Sequence, residues 1–329
     1  MKLNHFLYAN LCLRNACGAP ILISGEAGCG KGMVIRMIKL KDGYTLMHEH
    51  VTIDLSGVKK DLDCRLDCFE ETVEEFKELY RLGVRNVLEV TNMGMGRDIS
   101  YIERVAEATG IQFIISTGFY KEPFLPQIVY EKSAEELADM VVKEINEEIG
   151  DTKVCASVLG EFGTSKNEMT ATEEKVFQAM ALAAVRTGAP VTTHTTLGTF
   201  GEQQADYLIE HGVKPEKIII GHMDLSQDLE KILRLLGKGV NIGFDTVGKL
   251  NYCPDTFRVE ALKKISLEGR LSQVVLSMDI TRKSHLKSYG GIGYSYLFTD
   301  FLPLLKDSGM TQEQINTLLI DNPKRILME

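Results

Sequence analysis

Four of the seven histidines in this chain stand at the ends of short apolar runs, and two carboxylates occupy matching positions. His48 and His50 close "YTLMHEHV", His194 lies in "TTHTT" and His222 in "IGHMD". Glu161 follows the same logic in "LGEFGTS", and Asp279 in "LSMD". On a strand, residues i and i+2 face the same side, so the imidazoles of His48 and His50 can point one way. A single buried histidine is ordinarily a satisfied core residue, but four of them with two acids form a ligand set. Imidazole and carboxylate donors suit Zn²⁺, Mn²⁺, Fe²⁺ or Co²⁺ better than Ca²⁺ or Mg²⁺. Six donors exceed what one tetrahedral zinc takes, so the expectation is two divalent ions. Such a pair brings about +4, which Glu161, Asp279 and a bridging hydroxide reduce to about +1, an excess suited to a developing oxyanion or phosphorane-like charge.

Positioning these six groups requires a repeated scaffold, and the chain supplies one. Eight β-like runs recur from Tyr44 onward: "YTLMHEHV", "VRNVLEV", "IQFIIST", "VCASVLGEF", "PVTTHT", "KIIIGHMD", "VNIGFDT" and "VVLSMD". Amphipathic stretches of helical period separate them. "EETVEEFKELYRLG" ends at Gly83. "SAEELADMVVKEINEEIG" begins on Ser133 with Glu136 three residues later, and "TATEEKVFQAMALAAVRTG" ends at Gly188. These are helix start and stop signals. Strand–helix alternation on this scale predicts a parallel (β/α)8 TIM barrel in one domain, with a doubly wound open sheet as the alternative. A barrel of this kind keeps its reactive groups at the C-terminal ends of its strands, where all six candidates fall.

Composition sets the outer limits. The 329 residues are 44% hydrophobic and 25% charged, an ordinary globular profile. A formal net charge of −9 argues against a nucleic-acid partner. No apolar run approaches the ~20 residues that span a bilayer, so neither a membrane nor a secretory leader is expected and the cytoplasm is the expected location. The seven cysteines form no C-x-x-C pair and read as free thiols. Cys64 and Cys68 are spaced to share a helix face, without partner cysteines to complete a metal set.

A competing motif precedes the barrel pattern. "GEAGCGKG" fits G-x-x-x-x-G-K, with Gly25, Gly30 and Lys31 in the phosphate-contacting places. The stretch resembles the P-loop of AAA+ transcriptional activators. No neighbouring strand with a Walker B acid has room before Tyr44, and one strand with one helical turn cannot bury a core. Nucleotide binding is therefore not expected. Residues 1–36 are expected to be a short N-terminal extension, whether a fusion fragment, the product of an upstream start codon or a peptide packed on the barrel, with the barrel occupying 37–329.

Beyond these readings, "GYTLMHEHV", "GEFGTS", "VTTHT", "IGHMDL", "FDTVGK" and "LSMDITRKSHLKSYGGIGYSYL" resemble the phosphotriesterase family of the amidohydrolase superfamily. The pattern is most similar to its bacterial homology-protein branch. The resemblance implies a (β/α)8 barrel with a binuclear centre, usually zinc. It implies that His48, His50 and Asp279 hold the more buried metal, and His194 and His222 the more exposed one. Glu161 takes the bridging place that a carbamylated lysine fills in many members, so assembly should need no bicarbonate. Thr246 stands near the point where the phosphotriesterase has a proton-relaying histidine, which puts that relay in doubt.

The expected chemistry is attack by a metal-bound hydroxide on an ester, lactone or phosphoester, with Asp279 taking the proton. After the eighth run, Arg282, Lys283, His285 and Lys287 precede a Gly-Gly turn. Loops seven and eight of such barrels often hold phosphate, so a small anionic, phosphorylated substrate is expected at Arg282 and His285. Tyr120, Lys121 and Lys249 are further candidates for the pocket lining. A homodimer is the expected assembly. The rival readings are an ATP-binding regulator fragment fused to a barrel, and a metal-binding barrel without catalysis.

Overall fold

Apolar runs of three to seven residues become eight strands: β1 Tyr44–Glu49, β2 Val84–Glu89, β3 Gln112–Thr117, β4 Val158–Thr164, β5 Val191–Thr195, β6 Ile218–Ile220, β7 Asn241–Phe244 and β8 Val274–Leu276. The computed structural model describes residues 39–328. The Gly25–Lys31 motif and the extension over 1–36 lie outside the described residues. Each strand pairs in parallel with the next one in sequence. A doubly wound sheet would reverse its strand order midway, so the sequential order selects the barrel. The seam between first and last strands is sealed by a side chain. Glu49 accepts from the Ser277 hydroxyl at 2.8 Å and from the amides of Met278 and Ile280 at 2.6 and 3.2 Å. Among the described residues no helix is long and apolar enough to cross a membrane.

Helices follow the strands as the caps foretell: α1 Phe69–Arg81, α2 Ile99–Thr109, α3 Ala134–Asn146, α4 Ala171–Thr187, α5 Gly201–Glu210, α6 Leu229–Gly237 and α7 Asp255–Leu267. Ser133–Glu136 and Thr170–Glu173 form reciprocal capping boxes, and Gly188 ends α4 in the left-handed region. Cys64 and Cys68 share no helix face. Cys64 closes a short turn at Leu62–Cys64, extended residues Arg65–Leu66 intervene, and Cys68 caps α1.

Two cores sort the strand residues by parity. Leu46, Val87, Ile115, Leu159, Val274 and Leu276 pack outward against the helices. Their neighbours Met47, Leu88, Ile114, Val158 and Val275 fill the barrel floor with Ile326 and Leu327. Strict alternation would then turn His48 outward with Leu46, and Glu161 outward with Leu159. Register shifts prevent both. One lies between Leu46 and Glu49, the other between Leu159 and Phe162. An extra residue in a strand reverses the facing of everything after it. These two irregularities aim His48 and Glu161 into the barrel.

Candidate metal centre

All six candidate ligands meet at the C-terminal mouth. His48 is in β1, Glu161 in β4 and His194 in β5. His50, His222 and Asp279 sit just past β1, β6 and β8. His222 and Asp279 adopt left-handed backbone conformations, φ 56° and 52°. Non-glycine residues take this conformation at some cost, and such positions cluster at functional sites. It turns each side chain off its strand axis and back over the opening. Beside Glu161, glycine is required: a β carbon at Gly160 would collide with the Thr192 carbonyl, and one at Gly163 would stand 2.7 Å from the β carbon of His194. β4 and β5 therefore approach closely enough for Glu161 and His194 to meet.

Most distances between ligand atoms are those of ligands around shared cations; His194 Nδ1 and His222 Nε2 instead stand at hydrogen-bond distance, 2.9 Å. Glu161 Oε2 lies 3.5 Å from His48 Nε2, 3.4 Å from His194 Nδ1 and 3.8 Å from His222 Nε2. Glu161 Oε1 is 3.3 Å from His50 Nε2, and Asp279 Oδ1 is 3.5 and 3.8 Å from the Nε2 atoms of His50 and His48. Atoms held about 2.0–2.2 Å from one tetrahedral cation stand roughly 3.3–3.6 Å apart. Good hydrogen bonds are shorter. Glu161 Oε2 and both ring nitrogens of His48 are buried without a hydrogen-bond partner. Two overlapping groups, His48–Glu161–His222 and His48–His50–Asp279, keep one ligand atom per residue within 4.8 Å of each other. Buried, unsatisfied and converging, these atoms fit divalent cations.

Electrostatics point the same way. Burial opposes ionisation of Glu161, yet the His48 charge and bonds from His194, His222 and His50 hold its carboxyl well below the usual range. Asp279 is likewise driven well below it against burial, chiefly by Lys249. Burial lowers His194 to about 4 and pulls His48 down, whereas Asp245 and Glu161 raise His222 well above the ordinary histidine value against burial. His50 is buried too, but bonds to Asp279 and Glu161 carry it to about 10. Two fixed anions thus draw positive charge into the cup. His50 is oriented from behind: Thr91 donates to the Thr52 carbonyl at 2.8 Å, which leaves its oxygen to accept from His50 Nδ1 at 2.7 Å. The Nε2 of His50 is then free to face Glu161 and Asp279.

Three of the four candidate substrate residues adjoin this cluster. The Tyr120 hydroxyl lies 3.2 Å from His194 Nδ1. Lys249 donates to Asp279 Oδ2. His285 accepts from the Thr281 amide at 3.4 Å, and burial, then the Lys249 charge, lowers it to about 4. Arg282 is instead engaged at the rim, donating to Asp61 at 2.9 Å and Asp63 at 3.3 Å. Its charge is balanced by these two carboxylates rather than left free. Lys121 is half-buried, and burial lowers its pKa.

Several residues that brace the cluster lie outside the sequence-predicted set. Asp245 contacts two of the histidines, and Thr91 and Glu49 brace the ends of β1 and β8. Arg258 is fully buried between Asp224 and Asp255. Asp245 did carry a signal, since an acid at the end of the seventh run occupies the same kind of position as the six candidates.

The family model described as "Phosphotriesterase family" matches residues 31–327. A phosphotriesterase homology protein of Escherichia coli is 44% identical over 283 residues, 86% of this chain and 97% of that protein. A crystal structure of that name, "complexed with phosphate in active site", superposes with a TM-score of 0.85 at 44% identity, covering 87% of this chain and 98% of the other. An aryldialkylphosphatase of Saccharolobus solfataricus is 32% identical, covering 88% of this chain and 96% of its own length. A phospho-furanose lactonase of Mycoplasmopsis synoviae is 31% identical, covering 87% and 88%.

Proposed function

Because the chain belongs to the phosphotriesterase family, we propose that it is a binuclear metal-dependent hydrolase cleaving an ester, lactone or phosphoester bond in a small anionic substrate. The carrying observation is the convergence of His48, His50, Glu161, His194, His222 and Asp279 at ligand-edge distances on one barrel mouth. His48, His50 and Asp279 would hold one cation, His194 and His222 the other, and Glu161 would bridge. When bound, a pair of divalent ions, zinc above all, acidifies water and polarises the oxygen that gains charge.

The chain's own groups do the rest. Asp279 presents Oδ1 to the His48 and His50 nitrogens and Oδ2 to Lys249. Against burial, Lys249 leads the charges that favour its ionised form, and this carboxylate is the base that would take the proton of the attacking water. Lys249 fixes that carboxylate and brings a cation to the mouth. Tyr120, kept protonated by burial and by the nearby Glu161 and Asp279 charges, offers a hydroxyl donor beside His194. Cationic Lys249 and donor Tyr120 suit an anionic group on the substrate, in keeping with the phosphorylated lactone in one relative's name and the phosphate in another's crystal. Thr246 cannot relay a proton as a histidine would. Its hydroxyl donates to Asp224 at 2.6 Å in a buried network.

The test is a screen of paired esters, lactones and phosphoesters, with and without a phosphate, on zinc- or manganese-loaded protein. Faster turnover of the phosphorylated member is expected, and Asp279→Asn with unchanged metal content should abolish it. Equal rates within every pair would refute the anionic substrate. Full activity of the Asp279→Asn variant would refute the proton role.

A further inference from the structure

We infer that Asp245 is a positioning residue that sets the tautomer of two histidines at once and so couples the two halves of the metal centre. This rests on the reading of the centre proposed above.

Asp245 follows β7 and is 1% exposed. Its Oδ1 accepts two bonds from one residue, the His222 backbone amide at 2.8 Å and His222 Nδ1 at 2.8 Å. Its Oδ2 stands 3.5 Å from His48 Nδ1. Both of these last atoms are buried and have no hydrogen-bond partner, so each has only the other to face. The two rings meet edge-on with centroids 4.8 Å apart. Space for the carboxylate is carved by backbone: a β carbon at Gly243 would collide with Oδ2, and one at Gly221 would stand 3.3 Å from it. Gly221, just past β6, and Gly243, in β7, thus leave room on the two sides of this acid.

A neutral imidazole has one ring proton, and a carboxylate beside Nδ1 places it there. The lone pair is then on Nε2, the atom that His48 and His222 each turn toward Glu161 Oε2. His48 is common to both groups, standing with Glu161 and His222 in one and with His50 and Asp279 in the other. One acid therefore presents a ligand nitrogen to both groups. Thr91 performs this service for His50 alone.

Asp245→Asn tests the assignment asymmetrically. The two donors of His222 keep the amide oxygen at the Oδ1 position, so the amide nitrogen replaces Oδ2 and offers a proton to His48 Nδ1. His48 must then carry its proton on Nε2 and lose that lone pair, while His222 keeps its own. Long-range proton–nitrogen NMR of the metal-free protein should show His48 switching tautomer and His222 unchanged. Titration with zinc should show one of the two cations bound about 10- to 100-fold more weakly. Gly243→Ala is the second variant, displacing Oδ2 without changing charge, and the same loss at His48 is expected. An unchanged His48 tautomer together with wild-type zinc affinity in Asp245→Asn would overturn the inference. If the wild type itself bound no metal, the proposed centre would fail, and the tautomer measurement would still decide the role of Asp245.

Discussion

Replacing Arg258 with methionine should destabilise the protein by about 3–5 kcal/mol, the usual cost of removing one partner from a buried ion pair. Its guanidinium is fully buried and makes five hydrogen bonds. Nε donates to Asp224 at 2.6 Å, Nη1 to Asp255 and to the Cys253 carbonyl at 2.7 Å, and Nη2 to the Thr246 carbonyl and hydroxyl at 2.7 and 3.1 Å. Methionine fills similar volume but leaves two buried carboxylates and two carbonyls without these donors. Asp255 keeps bonds from Tyr296 at 3.0 Å and the Gly248 amide at 3.3 Å, whereas Asp224 keeps only the Thr246 hydroxyl, so Asp224 carries most of the penalty. At roughly 2–3 °C per kcal/mol for a chain of this size, the melting temperature should fall by about 6–15 °C. Adding Asp224→Asn removes the stranded charge and should recover part of that loss. Lys249 lies on the loop that Arg258 clamps at Thr246 and Cys253, so kcat/KM for an anionic substrate should fall too. Circular-dichroism melts at saturating metal read the stability. A melt within about 2 °C of wild type, or a double variant no better than the single, would refute the burial argument.

Two further outcomes are expected. Chelation should abolish turnover and lower the melting temperature, and zinc added in CO₂-free buffer should restore both, because the Glu161 carboxylate is already in place; dependence on added bicarbonate would contradict its bridging role. His285 has a folded-state pKa near 4, below the ordinary value of 6.5, so the folded state binds fewer protons. Its stabilising contribution is present above pH 6.5 and is lost as pH falls toward about 4. Urea melts should show wild type losing stability faster than His285→Gln over that window, and parallel pH profiles would dismiss the claim.

Much of this molecule was legible in the sequence because local physics wrote it there. Alternation of β-branched runs with capped amphipathic helices gave eight strands in chain order, and Ser133, Thr170 and Gly188 mark helix ends through bonds made within a few residues. The six candidate ligands could be named because strand ends in such a barrel share one face. Side-chain facing was not legible. His48 and Glu161 look inward because β1 and β4 slip register just before them, and whether a strand bulges depends on its partner's backbone. Long-range pairing also decided which charges are free. Arg282 reads as an anion receptor in sequence but is taken up by Asp61 and Asp63, more than two hundred positions away. Asp245 is one acid among others in "FDTVGK", and only the closed barrel sets two histidines from other strands against it. Patterns with a period of two or 3.6 residues are set by each segment's own backbone, whereas a hydrogen bond between strands is fixed only when the barrel closes.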